Sequence, residues 1–321
     1  MNRYDPVGRC IYCGATSYGA DNSRPLADEH IIPLALDGDR VLPNASCQRC
    51  EKLTSSAELM ALRGVLRGPR ISLALKSRKG HPDTLPLFGH HQGSVFKVDI
   101  DAASYPSILL LPAPAWLPAM LTGYDLPETP RMFVYGGPLN EHASRFLLSK
   151  TQRTRSKAKK KNWKKRRRQK QLQPMQVQFS DAPPEKVFHG SGVFSPSLNV
   201  KLYYRMLAKV AHAYAVAELG LDSFKPFLLD VIQGIADDNL GLYFGGPLVH
   251  STQLGTLGHL HSVSLHFECS FDEVCYIVAR IKLFDSLGGP PNYVVVGELF
   301  IERLSLSLRE MVHAEPLSRR W

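Results

Sequence analysis

The stretch from Cys10 to Cys50, CIYCGATSYGADNSRPLADEHIIPLALDGDRVLPNASCQRC, decides how the N-terminal part of this chain folds. It begins with one Cys-x-x-Cys pair, Cys10 and Cys13, and ends with another, Cys47 and Cys50. A short turn places both sulfurs of such a pair on one side, so two pairs supply the four thiolates of a closed structural zinc site. Two disulfide bonds are the alternative, but that arrangement is typical of small secreted domains.

The composition is that of an ordinary globular protein of 321 residues, with 44% hydrophobic and 21% charged residues. No apolar run is long enough to span a bilayer, and the first residues lack the basic-then-apolar order of a signal peptide. We therefore expect a soluble cytoplasmic protein with no membrane partner. The two remaining cysteines, Cys269 and Cys275, lie in an alternating apolar stretch and are expected to be buried thiols.

The net charge of +10 is concentrated in one segment. Residues 150–170 carry 13 Lys or Arg and no acid, and removing them from the total leaves −3 for the remainder. Such a composition cannot bury enough apolar surface to order itself, so residues 150–178 are predicted to be a basic, disordered linker. A basic tract binds a phosphate backbone without selecting bases. A solvated linker or a localisation signal has the same composition and stays an alternative.

The chain divides by pattern into four parts, and the predicted fold class is α+β. Residues 1–80 contain both cysteine pairs and are predicted to be a small zinc-bound unit of two strands and one helix. Residues 81–149 form a mixed β-rich region, and the basic linker 150–178 follows it. Residues 179–321 are predicted to be a second α+β domain.

Periodicity predicts the main elements. Apolar residues at helical spacing predict a helix from Glu51 to Leu66, and Gly68-Pro69 is expected to end it. Lys209 and His212 lie three apart on a later predicted helix and complete no metal-binding pattern, so they are expected to be ordinary core or surface residues. The other predicted elements are helices at 198–219 and 222–235 and strands at 95–100, 106–111, 131–135, 259–270, 274–284 and 292–299.

Glu29 and His30, near the middle of the opening stretch, are the candidate catalytic residues. Consecutive residues of a strand point to opposite faces, so one can bind a metal while the other faces a substrate. Because an imidazole titrates near neutral pH, His30 can take a proton from water. The carboxylate of Glu29 suits a hard cation such as Mg²⁺. This pair favours phosphodiester hydrolysis, and a surface loop without a role is the alternative.

The motifs C-I-Y-C-G, D-E-H-I-I-P and A-S-C-Q-R-C resemble the HNH endonucleases of the treble-clef, ββα-metal type, which bind zinc through four cysteines. The resemblance covers about residues 8–60. It implies that His30 is the general base and that Glu29 is a ligand of the catalytic metal, where the family more often has Asp. It also implies that Glu51, directly after the last cysteine, is the other ligand, where the family usually has Asn or His.

Three further residues have roles that the motifs specify less well. Asn44 corresponds to the central Asn that fixes the loop carrying the base, although it lies closer to the third cysteine than that Asn does, and a plain turn residue is the alternative. Glu58 is a substitute ligand if Glu51 points away, or else part of a solvated helix face. Asp28 either orients His30 as a hydrogen-bond acceptor or has no role.

The resemblance implies a metal-dependent DNA endonuclease of bacterial or mobile-element DNA processing or defence, with structural Zn²⁺ and catalytic Mg²⁺ or Mn²⁺. DNA contact is expected through the basic tract at 150–170, and a homodimer is compatible with the pattern. Two other interpretations stay open. One is a non-catalytic zinc module that binds nucleic acid, and the other is a scaffold or regulatory protein whose zinc unit only stabilises the fold. The C-terminal domain is expected to select a target or partner, or to form the dimer.

Overall fold

The computed structural model of the chain has a mixed α+β architecture with a small cysteine cluster near the N-terminus. It describes residues 2–19, 24–75, 77, 80–91, 94–102, 108–115, 117–123, 133–138, 193–194, 199–236, 239–246, 259–269, 274–300, 302 and 317–320. The predicted basic linker at 150–178 lies outside the described residues. No helix in the described part of the chain is both long enough and apolar enough to cross a membrane.

The N-terminal unit is a small sheet followed directly by a helix. Strands β1 (Asn2–Arg3), β2 (Ala27–His30) and β3 (Arg40–Ser46) lie in the order β1-β3-β2, with β1 parallel and β2 antiparallel to β3. Helix α1 (Gln48–Arg63) begins immediately after β3, and the short α2 (Arg67–Ser72) follows. The predicted helix is therefore confirmed, but it begins and ends three residues earlier than expected.

The loop between β2 and β3 requires a glycine at position 38. A Cβ atom on Gly38 would lie 2.1 Å from the carbonyl oxygen of Ile32, closer than two such atoms can approach. Asp37, directly before it, has a φ of 70°, in the left-handed region. The backbone at Gly38 therefore packs closely against that of Ile32, which a side chain at position 38 would prevent.

The middle of the chain forms two small antiparallel sheets. Strands β4 (Thr84–His91) and β5 (Ser94–Asp101) pair with each other, and β6 (Ile108–Ala113) pairs with β7 (Phe133–Pro138). The short helix α3 (Ala119–Thr122) lies between β6 and β7 in sequence, and β8 (Val193–Phe194) adds to the edge of β4. The three strands predicted here are confirmed within a few residues, whereas β4 was not predicted.

The C-terminal part is one long helix and a six-stranded sheet. Helix α4 (Val200–Leu219) is followed by β9 (Phe224–Pro226), α5 (Leu229–Gln233), α6 (Leu240–Tyr243), β10 (Phe244–Gly245), β11 (Ser262–Cys269), β12 (Cys275–Lys282), β13 (Pro291–Leu299) and β14 (Leu317–Arg320). The sheet runs β10-β13-β12-β11-β14, with β9 also paired to β13, and every pairing is antiparallel. The helix predicted at 198–219 and the strands predicted at 259–270, 274–284 and 292–299 are confirmed.

Two predictions for this part are wrong. The helix expected at 222–235 is instead strand β9 followed by the five-residue α5. Pro226 cannot donate a helical hydrogen bond, and the preceding residues gain a partner by pairing with β13. Cys269 and Cys275 were expected to be thiols, but they face each other across β11 and β12 and form a disulfide bond.

Helix α4 lies between the sheet and the N-terminal unit. Every residue from Met206 to Val216 is buried, as expected for a helix whose middle is covered on every face. One continuous hydrophobic cluster contains residues of the N-terminal unit such as Ile31 and Leu36, residues of α4 such as Tyr203, and strand residues such as Val294. The division that the sequence suggests at residue 80 therefore does not coincide with a boundary in the core.

Candidate metal centre and active-site residues

The four cysteines of the opening stretch converge on one point. Their sulfur atoms all lie within 4.8 Å of one another, and those of Cys13 and Cys47 are 3.6 Å apart. A tetrahedral zinc ion with bonds of about 2.3 Å to sulfur sets neighbouring sulfurs roughly 3.8 Å apart. Cys47 caps the start of α1 and Cys50 lies in its first turn, so the helix start presents both sulfurs to the loop that carries Cys10. The cluster can therefore hold a metal ion, and its donor set suits structural zinc.

The surroundings of Cys10 favour its thiolate form. The hydrogen bond from Cys50 lowers the pKa of Cys10 to about 5, although burial alone would raise it. Backbone N–H groups of Cys47, Tyr12 and Cys13 lower the pKa of Cys10 further. The same hydrogen bond raises the pKa of Cys50, and burial raises that of Cys13, so these contacts favour the metal-binding thiolate form at Cys10 and the thiol form at the other two.

His30 is the last residue of β2 and pairs with Val41 of β3. Its side chain is half-buried, and burial, followed by the positive charge of Lys209, lowers the pKa of its imidazole. The ring is therefore neutral at pH 7. Its Nδ1 atom is buried and has no hydrogen-bond partner among the described residues.

The side chain of Glu29 points into the core. Its residue is 6% exposed, and its carboxylate lies 2.8 Å from the Nζ atom of Lys209 on α4. Burial raises the pKa of Glu29, and the charge of Lys209 partly offsets this effect. The alternation of side chains along β2 thus separates Glu29 from His30, as predicted, but it directs the carboxylate to an ammonium group.

Glu51 has a different partner. It lies in the first turn of α1, where its carboxylate accepts a hydrogen bond of 2.7 Å from the hydroxyl of Tyr18 and raises the pKa of that hydroxyl. Among the described residues, the four-cysteine cluster is the group of three or more metal-binding side chains that the structure brings together. Glu29, His30 and Glu51 are not such a group among the described residues. The resemblance implied that these three side chains meet around one ion, and the structure does not bring them together in that way.

The backbone of Asn44 and the carboxylate of Asp28 hold the hairpin together. Asn44 has a φ of 51°, and its N–H donates to the Oδ1 atom of Asp28 at 3.3 Å. Its carbonyl oxygen accepts from the N–H of Gly8 at 3.1 Å. Asp28 also pairs with Arg3, whose Nη2 atom is 2.5 Å away. Asn44 therefore ties β3 to the strand that carries His30, and its backbone N–H makes that contact.

Lys209 is the residue on this side of the fold that sequence reasoning missed. Its Nζ atom lies 2.8 Å from Glu29 and 2.7 Å from Glu58, and it donates to the carbonyl oxygen of His30. Burial lowers the pKa of Lys209, but the charges of the two carboxylates outweigh burial and raise it overall. Glu58, considered as a substitute ligand for a metal, is thus part of a buried ion pair. The sequence does show that Lys209 is a charged residue in the middle of an apolar helix, but the neighbouring residues do not indicate which carboxylates it pairs with.

Three more side chains of the C-terminal part bind backbone carbonyl groups of the N-terminal unit. The ring of His212 contacts the oxygen of Ile11 at 2.8 Å, and Gln233 donates to Tyr12 at 2.9 Å. His261 contacts the oxygen of Leu36 at 2.7 Å through its Nε2 atom. These contacts satisfy carbonyl groups that packing against α4 removes from water.

Acid is expected to destabilise the fold through His212. Burial lowers the pKa of His212 to about 4, so the folded chain keeps the ring neutral while the unfolded chain protonates it near its ordinary value. Stability is therefore full above about pH 6.5 and is lost as pH falls, by about 2 kcal/mol between pH 7 and pH 5. Urea unfolding of wild type and His212→Gln at both pH values measures this loss.

The Gln variant keeps an N–H donor for Ile11 but cannot take up a proton. Between pH 7 and pH 5, the free energy of unfolding of His212→Gln should therefore fall by about 2 kcal/mol less than that of wild type. Equal losses in both chains would show that His212 does not titrate as its burial implies.

Comparison of this chain with protein-family models, with curated proteins and with solved structures gives no match. The functional interpretation therefore rests on the residues and the geometry described above.

Proposed function

We propose that this chain is an HNH-type endonuclease, built on a zinc-bound treble-clef unit, that hydrolyses phosphodiester bonds of DNA. The observation that carries the proposal is the position of His30. It ends β2 in the segment between two cysteine pairs, and the hairpin leads directly into α1, whose first turn holds Cys50. This order of cysteine pair, histidine-bearing hairpin and cysteine pair at a helix start is the order of the nucleases that the motifs resemble.

His30 is the proposed general base. Its lowered pKa keeps the imidazole neutral at pH 7, which is the form that accepts a proton. We assign proton uptake from water to Nε2, because Nδ1 is buried. Asn44 and Asp28 support the strand that carries this base through the hydrogen bond between them.

The cysteine cluster fits its proposed metal, zinc, better than Glu29 and Glu51 fit the proposed Mg²⁺ or Mn²⁺. Zinc suits the cysteine cluster, where it would join the loop of Cys10 and Cys13 to the start of α1. Mg²⁺ or Mn²⁺, when bound, neutralises charge on the scissile phosphate and on the leaving oxygen. Glu51 is partly exposed at the start of α1 and stays a proposed ligand, whereas Glu29 is buried against Lys209 and does not fit that role.

DNA is the proposed partner because the charge of the chain is concentrated in one basic tract. Residues 150–170 contain 13 Lys or Arg, which suits a phosphate backbone of any sequence. A tract of this kind supplies affinity and leaves the choice of the cleaved bond to the histidine-bearing unit.

A second candidate function is a non-catalytic zinc module that binds nucleic acid. The specific observation in its favour is that both candidate metal-binding carboxylates have other partners. Glu29 is held by Lys209, and Glu51 accepts a hydrogen bond from Tyr18. In this reading the cysteine cluster stabilises the fold, and the basic tract alone binds nucleic acid.

Loss of His30 is expected to stop DNA cleavage without stopping DNA binding. The zinc-loaded full chain would be incubated with supercoiled DNA and Mg²⁺ or Mn²⁺, and nicked circles would be counted with time. General bases contribute about 10²- to 10⁴-fold to rate, so His30→Ala should nick DNA at least about a hundredfold more slowly than wild type. Binding of the same DNA, measured by gel shift, should be unchanged.

His259→Ala is the matched control, because His259 is an exposed histidine far along the chain and outside the proposed site. It should cleave at the wild-type rate. Cleavage by His30→Ala at the wild-type rate would remove His30 as the base. Binding of DNA by wild type without cleavage under either metal would support the second candidate function instead.

A further inference from the structure

The Nζ atom of Lys209 lies inside a cage of oxygen atoms. The carboxylates of Glu29 and Glu58 approach it to 2.8 and 2.7 Å. The carbonyl oxygen of His30 accepts one of its hydrogen bonds, and that of Ile31 lies 3.4 Å away. The side chain of Lys209 is 1% exposed and that of Glu29 is 7% exposed, whereas that of Glu58 is 20% exposed, so the cage faces water on the side of Glu58 alone among these three side chains.

The charges and oxygen atoms of this cage match a cation of higher charge than the one it holds. An ammonium group brings one positive charge and three donors, whereas two carboxylates bring two negative charges and the cage offers four oxygen atoms. Carboxylates together with backbone carbonyl groups are the ligands that Ca²⁺ and Mn²⁺ prefer. A divalent ion would balance the two carboxylates, and the ammonium group balances one of them.

The cage also explains why Glu29 does not fit the metal role that the HNH resemblance implies. The carboxylate of Glu29 is within the chain's core, and α4 supplies its cation. Because the lysine is attached to the protein, its local concentration is fixed and does not depend on the metal content of the solution.

We propose that the oxygen cage formed by Glu29, Glu58 and the carbonyl groups of His30 and Ile31 is a divalent-cation site that this chain fills with the ammonium group of Lys209. Lys209 therefore takes the place of a metal ion, and Glu29 binds none while Lys209 is present. Replacing the ammonium group by an uncharged chain of similar length opens the cage to a divalent ion. This inference does not depend on cleavage of DNA.

The test uses Mn²⁺ as the probe and the zinc-loaded full chain. Free Mn²⁺ is followed by electron paramagnetic resonance during titration of wild type, Glu29→Gln, Lys209→Met and the double variant Lys209→Met/Glu58→Gln. We expect wild type and Glu29→Gln to bind Mn²⁺ equally, since Glu29 is not a ligand. We expect Lys209→Met to bind one more Mn²⁺ per chain than wild type.

The double variant should bind the added Mn²⁺ about tenfold or more weakly than Lys209→Met does. Loss of even a hydrogen-bond partner of a metal ligand lowers metal affinity by about 10- to 100-fold, and Glu58 is proposed as a direct ligand. If Lys209→Met is too unstable to titrate, circular dichroism gives the readout, because Mn²⁺ should then restore its helical signal and thermal midpoint but not those of the double variant. Failure of Mn²⁺ to bind or to restore Lys209→Met would overturn the proposal.

A weaker Mn²⁺ affinity of Glu29→Gln than of wild type would overturn it equally, because Glu29 would then be a ligand in the presence of Lys209. The nicking assay separates this inference from the proposed function. A chain that binds Mn²⁺ as expected in all four forms but never nicks DNA keeps the filled cage and loses the nuclease proposal.

Discussion

Cys50→Ser is expected to unfold the cysteine cluster and to lower the stability of the whole shared core. A structural zinc site contributes about 10–16 kcal/mol of apparent binding free energy at pH 7, and in a small unit this is folding free energy. Cys50 is 2% exposed and belongs to the same hydrophobic cluster as Tyr203 of α4 and Val294 of β13. The loss should therefore extend beyond residue 80 and should not be confined to the N-terminal unit.

Two measurements check this result. Zinc content per chain should fall from one to none. The thermal transition followed by far-UV circular dichroism should shift to lower temperature, and the shift should affect the whole helical signal and not only a part of it. Removal of zinc from wild type with a chelator should have the same effect. Ser56→Ala, an exposed change on the same helix, is the matched control and should leave both values at those of wild type. An unchanged melting curve after metal loss would contradict a structural role for the cluster.

Residues 1–80 expressed alone are expected not to form a stable fold, even with zinc bound. Ile31 and Leu36 are completely buried in the full chain, in the same hydrophobic cluster as most residues of α4. Without α4 and the C-terminal sheet, part of this apolar surface returns to water, and a chain of this length rarely has enough core to fold by itself. The buried ion pair of Lys209 with Glu29 and Glu58 is lost at the same time.

Amide proton spectra of the fragment measure the outcome. With one zinc per chain, we expect narrow dispersion of the chemical shifts and no cooperative thermal transition. Adding a second fragment that contains residues 199–321 should restore dispersion, because it supplies α4 and the sheet. A well-dispersed spectrum of the N-terminal fragment by itself would show that the unit folds independently and would contradict the shared core.

The sequence predicted those features that depend on local spacing. The placement of both sulfurs on one side of each Cys-x-x-Cys turn is local, and the apolar periodicity of α4 and of strands β11 to β13 identified each of them. Each of these patterns has its cause within a few residues of chain, which is why it could be found without knowledge of the tertiary structure.

The features that the sequence did not predict depend on distant partners. Lys209 is 180 positions after Glu29, and no local pattern connects an isolated lysine on an apolar helix to a particular glutamate. The strand at Phe224–Pro226 exists because β13 offers it an edge, whereas its own residues also suit a helix. The disulfide of Cys269 and Cys275 follows from the register of β11 against β12, which a sequence of alternating residues leaves open.

The contacts of His212, Gln233, His261 and Lys209 share an asymmetry. Each of these side chains binds a main-chain oxygen of the N-terminal unit, and every residue type has such an oxygen. Substitutions at the four accepting positions therefore leave the accepting oxygen in place, whereas replacing a donor by a side chain without an N–H group removes a bond that no mutation on the other side can replace. The two halves of the interface are thus constrained for different reasons. The donor positions are constrained by their N–H groups, whereas acceptor positions such as Ile11, Tyr12 and Leu36 are constrained by the burial of their own side chains.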